Sequence, residues 1–388
     1  VSLGLGALVS HGFGLSLVPA MLPRIEAEFD SGYGVLGLSV ATGLIAYAIG
    51  SLLASPVMRR VPTRALLNST YAVTGSGLML IALADSPSVL AGAVVLLGLS
   101  APISWTASNH VARETVEPGR LASVLAAASG GSALGVVVNA VLVRTSGSVH
   151  HWRLSFWLAS GVAALSIVVT TRAFTSAMRL PGSSGRRLRR IFGDVLTDQT
   201  GRLIVVTSGV SGVVVFTLAT FLTATALDEM GTTDTLAALL VLIGGSVGLV
   251  ASIAMGRLGD RRTPTASIAI SLTVYAGALS VLVVAWTYAG LLVAVIGYGI
   301  LNGPVWGLMG AQANRMFTAE IAVGAVSLGL VASSVVGAMG NVAAGAVIDS
   351  TGTFRAPVAL LAVLAGANAV YLALPVGVGS EVRLRILE

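Results

Sequence analysis

Few residues in this chain could do chemistry, and they stand far apart. One imidazole, His11, falls in the middle of an apolar run. There it could change charge near neutral pH or hydrogen-bond a bound molecule; it could equally pair, neutral, with a neighbouring segment. Two indoles follow prolines closely, in Pro102-Ile103-Ser104-Trp105 and Pro304-Val305-Trp306. Proline frees a carbonyl and lets a helix bend around a cavity. A Trp beside the bend offers a ring face and one N–H donor, unless it only packs. Asn109, Asn139, Asn302 and Asn341, with Ser132 and Ser334, also lie in apolar surroundings and must find partners. Any one Asn is explained by bridging two helices. Together, Ser, Thr and Asn are the specific hydrogen-bonding equipment on offer, because no Asp, Glu or Arg falls mid-run to grip a strongly charged molecule.

Enzymatic arrangements are missing from the pattern. There is no phosphate loop and no nucleophile–base pair at recognisable spacing. The chain has no Cys, which excludes disulfides and thiolate metal sites. His150-His151, without carboxylate help, makes a weak metal site. No metal, no cofactor and no catalytic residue is expected.

The elements that must position these residues are set by hydropathy. The 388 residues are 55% hydrophobic and only 10% charged, with a mean hydropathy of +0.93. A soluble fold of this length needs more charge, so the bilayer must be its main solvent. Twelve apolar runs of about the length a helix needs to cross a bilayer are expected near 2–23, 34–54, 65–84, 88–111, 121–143 and 153–173. The second six fall near 203–227, 235–257, 265–285, 288–314, 321–347 and 356–376. Each should be helical, since lipid offers open backbone groups no partner. All 22 basic residues are Arg, which we read as GC-rich coding in a bacterium. The net charge of +6 does not point to nucleic acid, because the arginines sit in short loops. Arg59, Arg60 and Arg64, then Arg113 and Arg120, then Arg257, Arg261 and Arg262 fall in loops on one side. Glu26, Glu28, Asp30, Asp228, Glu229 and Asp234 fall on the other. By the positive-inside rule the first side, and both termini, are cytoplasmic. The first run continues into Pro23 and an acidic loop rather than a cleavage site, and Val1 opens so directly into it that a short preceding tail is expected.

Residues 174–202 form an Arg-rich linker, with Arg179, Arg186, Arg187, Arg189 and Arg190, between a first half (1–173) and a second (203–388). Pro181-Gly182-Ser183-Ser184-Gly185 breaks any helix there; Arg186 to Leu196 alternates basic and apolar residues as a surface helix would. Shifting the chain by 202 residues aligns Arg59-Arg60-Val61-Pro62-Thr63 with Arg261-Arg262-Thr263-Pro264-Thr265. Pro102 then falls on Pro304, Arg113 on Arg315, Asn139 on Asn341 and Trp152-Arg153 on Phe354-Arg355. Parallel repeats of six spans imply two similar bundles related by an axis along the membrane normal.

Over its whole length the chain resembles the major facilitator superfamily. The family's loop signature is partly present as Gly256-Arg257-Leu258-Gly259-Asp260-Arg261-Arg262; in the first copy Ala54, Pro56 and Met58 replace the Gly, Leu and Asp, leaving Arg59 and Arg60. Trp152-Arg153-Leu154-Ser155-Phe156 is also similar to the family. The resemblance implies twelve helices in two pseudo-symmetric six-helix bundles, with a cytoplasmic gate at Arg59, Arg60, Asp260, Arg261 and Arg262. It further implies a secondary transporter working by alternating access, not an enzyme. The expected cargo is a small, largely apolar or weakly charged organic molecule, moved outward by a monomer in the bilayer, with protons as a candidate coupling ion. Departures weigh against ordinary proton antiport: Val94 stands four residues before Gly98 where many proton-coupled members carry Arg, and Val136 replaces a signature Pro after Gly131-Ser132-Ala133-Leu134-Gly135. These losses motivate a second expectation, a protein of the same fold that senses, scaffolds or acts on a lipid-like molecule instead of transporting.

Overall fold

The computed structural model describes residues 2–29, 33–145, 151–173 and 188–374, and all regular structure among them is helical. Among the described residues, twelve helices are long and apolar enough to cross a membrane. We number them α1 (2–29), α2 (Tyr33–Arg60), α3 (Thr63–Ala82), α4 (Pro87–Thr115), α5 (Leu121–Thr145) and α6 (Trp152–Ala173). The second six are α7 (Gln199–Ala224), α8 (Asp234–Arg261), α9 (Pro264–Val284), α10 (Tyr288–Met316), α11 (Ala319–Thr351) and α12 (Arg355–Ala373). They form the two pseudo-symmetric six-helix bundles.

Helix ends follow local chemistry. Thr263 accepts from the Ala266 N–H ahead of Pro264, and Thr287 caps α10 through Gly290 N–H. Asp198 accepts from Thr200 and Gly201, so α7 starts at Gln199, earlier than hydropathy placed it. At the other end of a helix, Gly352 takes a left-handed φ of 72° and closes α11. Helix α2 runs past the apolar run to Arg60, with Pro56 inside it. Large apolar side chains point outward, Val284, Val250 and Val342 among them, as a lipid-facing surface requires.

Part of the linker is a docked helix, Leu188–Thr197. Ile191 and Val195 are fully buried, and Ile191 lies against Gly324 of α11, whereas Arg189 and Arg190 are exposed. Arg179, Arg186, Arg187 and the Pro181–Gly185 breaker lie outside the described residues.

Two features of packing set up the interior. Helix α1 is not one regular helix: Ser2–Ala7 is α-helical, Leu8–Phe13 is π-helical, and Leu17–Phe29 is α-helical again. The helix α5 lies nearly backbone-to-backbone on α1, since a Cβ on Gly131 would come 2.0 Å from the Gly4 carbonyl oxygen, and one on Gly135 2.4 Å from Gly12 Cα. The residual Gly131-x-x-x-Gly135 spacing therefore acts as a helix–helix contact. The second bundle repeats the device between α8 and α10, where Gly303 meets the Gly248 carbonyl.

Replacing Gly135 by Ala should lower stability in detergent by about 1–3 kcal/mol, the usual cost of overpacking. Gly161→Ala, where a Cβ meets nothing within 4 Å, should be neutral or slightly stabilising. Chemical denaturation of the two purified variants checks the contrast.

Candidate functional site

Both bundles wall a central cavity with about 1570 Å³ of empty space, the open solvent at its mouth included. Seven of the nine pathway residues expected from sequence line it: His11, Trp105, Ser132 and Asn139 from the first half, Asn302, Trp306 and Asn341 from the second. Asn109 and Ser334 do not. Asn109 donates to Trp105 O (3.0 Å) and packs its Oδ1 against Gly310 across the bundles, while Ser334 is fully buried and donates to Leu330 O, leaving Ser333 on the wall. None of the cavity-lining residues described is Asp, Glu or Arg; His11 is the one imidazole.

His11 sits in the π-helical part of α1, the kind of local irregularity that re-aims a side chain. Its Nδ1 is 2.9 Å from Ser10 Oγ and its Nε2 is 3.1 Å from the Tyr47 hydroxyl. Ser10 Oγ is also 2.8 Å from the Gly6 carbonyl, which can only accept. The single Ser10 proton goes there, so the network assigns the His11 proton to Nδ1 and makes Tyr47 the donor to Nε2. Trp105 closes the cluster, edge-on to the imidazole at 5.9 Å between ring centroids.

In the second bundle a chain of bonds holds the other indole. Trp306 Nε1 donates to Asn302 Oδ1 (3.3 Å), and Asn302 Nδ2 donates to the Tyr298 hydroxyl (3.1 Å), all three one turn apart on α10. Phe216 of α7 stacks on Trp306 at 5.8 Å and 12°. Asn139 Nδ2 donates to Gly12 O in the π-helical segment (2.8 Å), and Asn341 Nδ2 to Thr220 Oγ1 (3.1 Å). The Oδ1 atoms of both are buried without a partner. Tyr47, Phe216, Tyr298 and Thr220 were not singled out from sequence. The spacing of Tyr298 four residues before Asn302 could have flagged it; nothing local marks the others.

The cavity lining extends through Leu15, Pro19 and Ala20 towards the end of the molecule that carries the acidic loops. Towards the Arg-rich end it stops at Trp105, Ser129 and Trp306, and bonds between the bundles lie beyond. Asp260 accepts the backbone N–H groups of Ala122 and Ser123 at 2.9 Å each, a carboxylate on the N-terminus of α5. Arg315 pairs with Asp260 at 3.1 Å and also donates to Gly259 O. Arg59 pairs with Glu320 at 3.3 Å, and Arg113 donates to Phe317 O at 2.9 Å. Arg60, Arg261 and Arg262 are exposed. Asp260's arginine partner is thus Arg315, repeat mate of Arg113, rather than its sequence neighbours. The repeat mate of Asp260 is Met58, a buried thioether that can neither cap nor pair.

At the opposite end each bundle is clamped to itself. Glu28 of α1 accepts from Trp152 Nε1 and pairs with Arg153, whose guanidinium also reaches Ala84 O. Glu229 accepts from Thr353 Oγ1 and Phe354 N–H, while Arg355 Nε donates to Val283 O. The repeat seen in sequence is realised here in outline: a carboxylate meets the start of the last helix in both bundles, through the Trp152 side chain and Arg153 in one and through Thr353 and the Phe354 backbone in the other. One influence does cross at this end: burial lowers the Arg24 guanidinium from its ordinary value, and the Asp234 carboxylate opposes that shift. Of the acidic-loop residues, Asp30 and the Glu26 side chain, and likewise His150, lie outside what is described.

A two-bundle membrane protein with a central cavity is the architecture of a transporter family. Residues 4–340 match the Major Facilitator Superfamily, and the chain belongs to it. A curated relative is the "Transcription regulatory protein OpdE" of Pseudomonas aeruginosa, 26% identical over an alignment of 375 residues that covers 92% of this chain and 89% of the relative. The fold is similar to that of the proton:xylose symporter XylE bound to 6-bromo-6-deoxy-D-glucose, with a TM-score of 0.72 and 14% identity over 96% of this chain and 94% of the other. It is similar also to a bacterial homologue of the iron transporter ferroportin in the outward-facing state, with a TM-score of 0.71 and 16% identity over 96% and 98% of the two chains. At such identities these two likenesses speak for the fold alone.

Asp260→Ala and Arg315→Ala should each cost about 1–3 kcal/mol, as expected for losing a charged cap or pair. Their double variant should be clearly less than additive. Arg261→Ala and Arg262→Ala should stay within about 0.5 kcal/mol of the parent. Unfolding of these five variants in one detergent decides between these partners.

Proposed function

We propose that this protein is a secondary transporter that moves a small, largely apolar or weakly charged organic molecule outward across the cytoplasmic membrane of a bacterium, as a monomer with both termini inside. The observation that carries the reading is the central cavity walled by both bundles, stopped at one end by bonds between them and extending towards the other. On this orientation the Arg-rich end is cytoplasmic and closed, and the cavity faces outward. Asp260 on the Ala122 and Ser123 N–H groups, Arg59 with Glu320, and Arg113 on Phe317 O form the inner gate; these must part when the cavity turns inward, while Arg315 stays with Asp260 in its own bundle. Arg24 and Asp234, on facing bundles, are placed to approach as the outer end closes.

His11 supplies a route for proton coupling. In the neutral ring Nε2 accepts from Tyr47. Protonation places a hydrogen on Nε2, so Tyr47 must become the acceptor and turn its own proton elsewhere. One proton on His11 thereby changes which groups the cavity offers a cargo, without any buried carboxylate. Counterflow in proteoliposomes, with a panel of neutral and weakly charged ring compounds at several pH values, tests the reading. Flux should respond to an imposed proton gradient, and His11→Ala should cut that response about tenfold or more while leaving the protein folded. Flux indifferent to pH and to His11 would leave facilitated diffusion or exchange.

A second reading has its own support. The curated relative bears the name of a transcription regulatory protein, and Met58 stands where the first loop signature needs Asp. A sensor of this fold would bind a molecule in the cavity without moving it. Saturable binding with no flux in either direction would favour it.

A further inference from the structure

The polar groups along α10 form a chain of hydrogen bonds with a fixed direction. Val295, Tyr298, Asn302 and Trp306 all line the cavity, on one face of that helix. An indole N–H can only donate. Trp306 Nε1 lies 3.3 Å from the Asn302 side chain, so the oxygen of that amide must face the indole. Asn302 Nδ2 is then left 3.1 Å from the Tyr298 hydroxyl, and an amide N–H too can only donate. Tyr298 therefore gives a lone pair to Asn302 and keeps its own proton. Among the described residues that proton has no acceptor: the neighbouring Tyr275, at 6.5 Å between ring centroids, turns its hydroxyl to Val214 O instead. Each bond in such a chain polarises the next, so the terminal phenol is a stronger donor than an isolated one. In the first half the matching positions are Leu96, Ser100 and Ser104, and Ser100 is bonded to Thr74 and to Leu97 O. The chain belongs to the second bundle alone.

We infer that Tyr298 orients the cargo: the cavity takes a flat, ring-bearing molecule with a hydrogen-bond acceptor on its edge, a carbonyl oxygen or a ring nitrogen, and Tyr298 donates to it. This rests on the cavity's being the binding site named above. The apolar body of the ligand meets Phe216 and Trp306, which hold one another stacked. Asn302 and Trp306 also position the phenol. Asn302 occupies a Tyr298 lone pair, and the indole N–H keeps the amide from turning over. In the first bundle the Trp105 N–H is a second uncommitted donor on the wall, so acceptors on a ligand are rewarded from both sides. Hydroxyl lone pairs such as that of Ser132, whose proton goes to Ser129 O, leave room for donors elsewhere on the same molecule.

Isoquinoline and naphthalene share one bicyclic shape and differ in one ring nitrogen, an acceptor without a proton. Binding of each to the full chain in detergent is read by equilibrium dialysis at mildly alkaline pH, where isoquinoline is neutral, with uptake by protein-free micelles subtracted. The parent should prefer isoquinoline. Tyr298→Phe, which removes only the hydroxyl, should shrink the ratio of the two affinities about three- to tenfold, the worth of one neutral hydrogen bond. Trp306→Phe should shrink it as well: with no indole to pin it, the Asn302 amide can turn over and take the Tyr298 proton itself. Lost ring area weakens both probes alike, so a packing role for Trp306 would leave the ratio unmoved. Adding Tyr298→Phe to Trp306→Phe should then change little. If Tyr298→Phe fails to fold, Trp306→Phe carries the test. Equal affinities in the parent overturn the inference. So does a ratio unmoved in the folded variants, or no saturable binding of either probe to monodisperse protein. Counterflow separates this from the transport reading: acceptor-selective binding without counterflow keeps the inference and sinks the transporter, and counterflow of both bicycles at equal rates does the reverse.

Discussion

In hydrocarbon a polar group finds its partner in the protein or goes without, and this constraint organises the molecule from the first turn of helix to the central cavity. Water would otherwise absorb every hydroxyl and amide at little cost. Here many serines and threonines of the spans return their protons to carbonyls of their own helices, as Ser51 does to Tyr47 O and Ser252 to Gly248 O, while a few, Ser129 and Ser160 among them, reach across to Gly303 O and Gly75 O. The bonds within a helix satisfy the hydroxyl without joining two helices. Cohesion between helices falls instead to close backbone approach at glycines, with a handful of asparagines and tyrosines reaching across, such as Tyr275 to Val214 O.

The two ends answer that constraint differently. Near the acidic loops, each bundle ties its first helix to its last through a carboxylate, Glu28 in one and Glu229 in the other. Near the Arg-rich loops the ties run between bundles. Repeat symmetry alone would have given two equivalent locks there. Met58 removes one carboxylate, so Asp260 caps α5 alone, and the first-half arginines look elsewhere: Arg59 to Glu320 and Arg113 to a backbone carbonyl. The linker helix covers Gly324 of α11 with Ile191, an apolar contact near the start of a helix whose first-half counterpart is met by Asp260. A sequence repeat thus becomes an asymmetric closure.

The cavity inherits its character from the same economy. With no carboxylate or guanidinium on the described wall, its specificity must come from shape, ring faces and the direction of neutral hydrogen bonds. Such bonds are individually modest, about 0.5–1.5 kcal/mol net, so selectivity depends on several being oriented together. The π-helical segment of α1 contributes twice, by aiming His11 at Tyr47 and by offering the Gly12 carbonyl to Asn139.

By itself the sequence determined the twelve spans, the all-helical class, the repeat and the family, because those depend on composition along the chain and on short motifs read in register. It also isolated His11, Trp105, Trp306 and the repeat-related asparagines, since a polar or bent position stands out against an apolar run. Tertiary structure alone decided which way each of them turns. In a soluble helix the apolar stripe marks the inward face. In these helices lipid and core are equally apolar, so the stripe carries no such information. Asn109 and Ser334 therefore read like Asn139 and Ser132 but face neighbouring helices, while Tyr47 and Phe216 went unnoticed until packing set them beside His11 and Trp306. Asp260 shows the same limit at the surface. Its capping role is implied by the motif, but its partner, Arg315, lies 55 residues away, and only the meeting of α8 with α10 brings the two charges together.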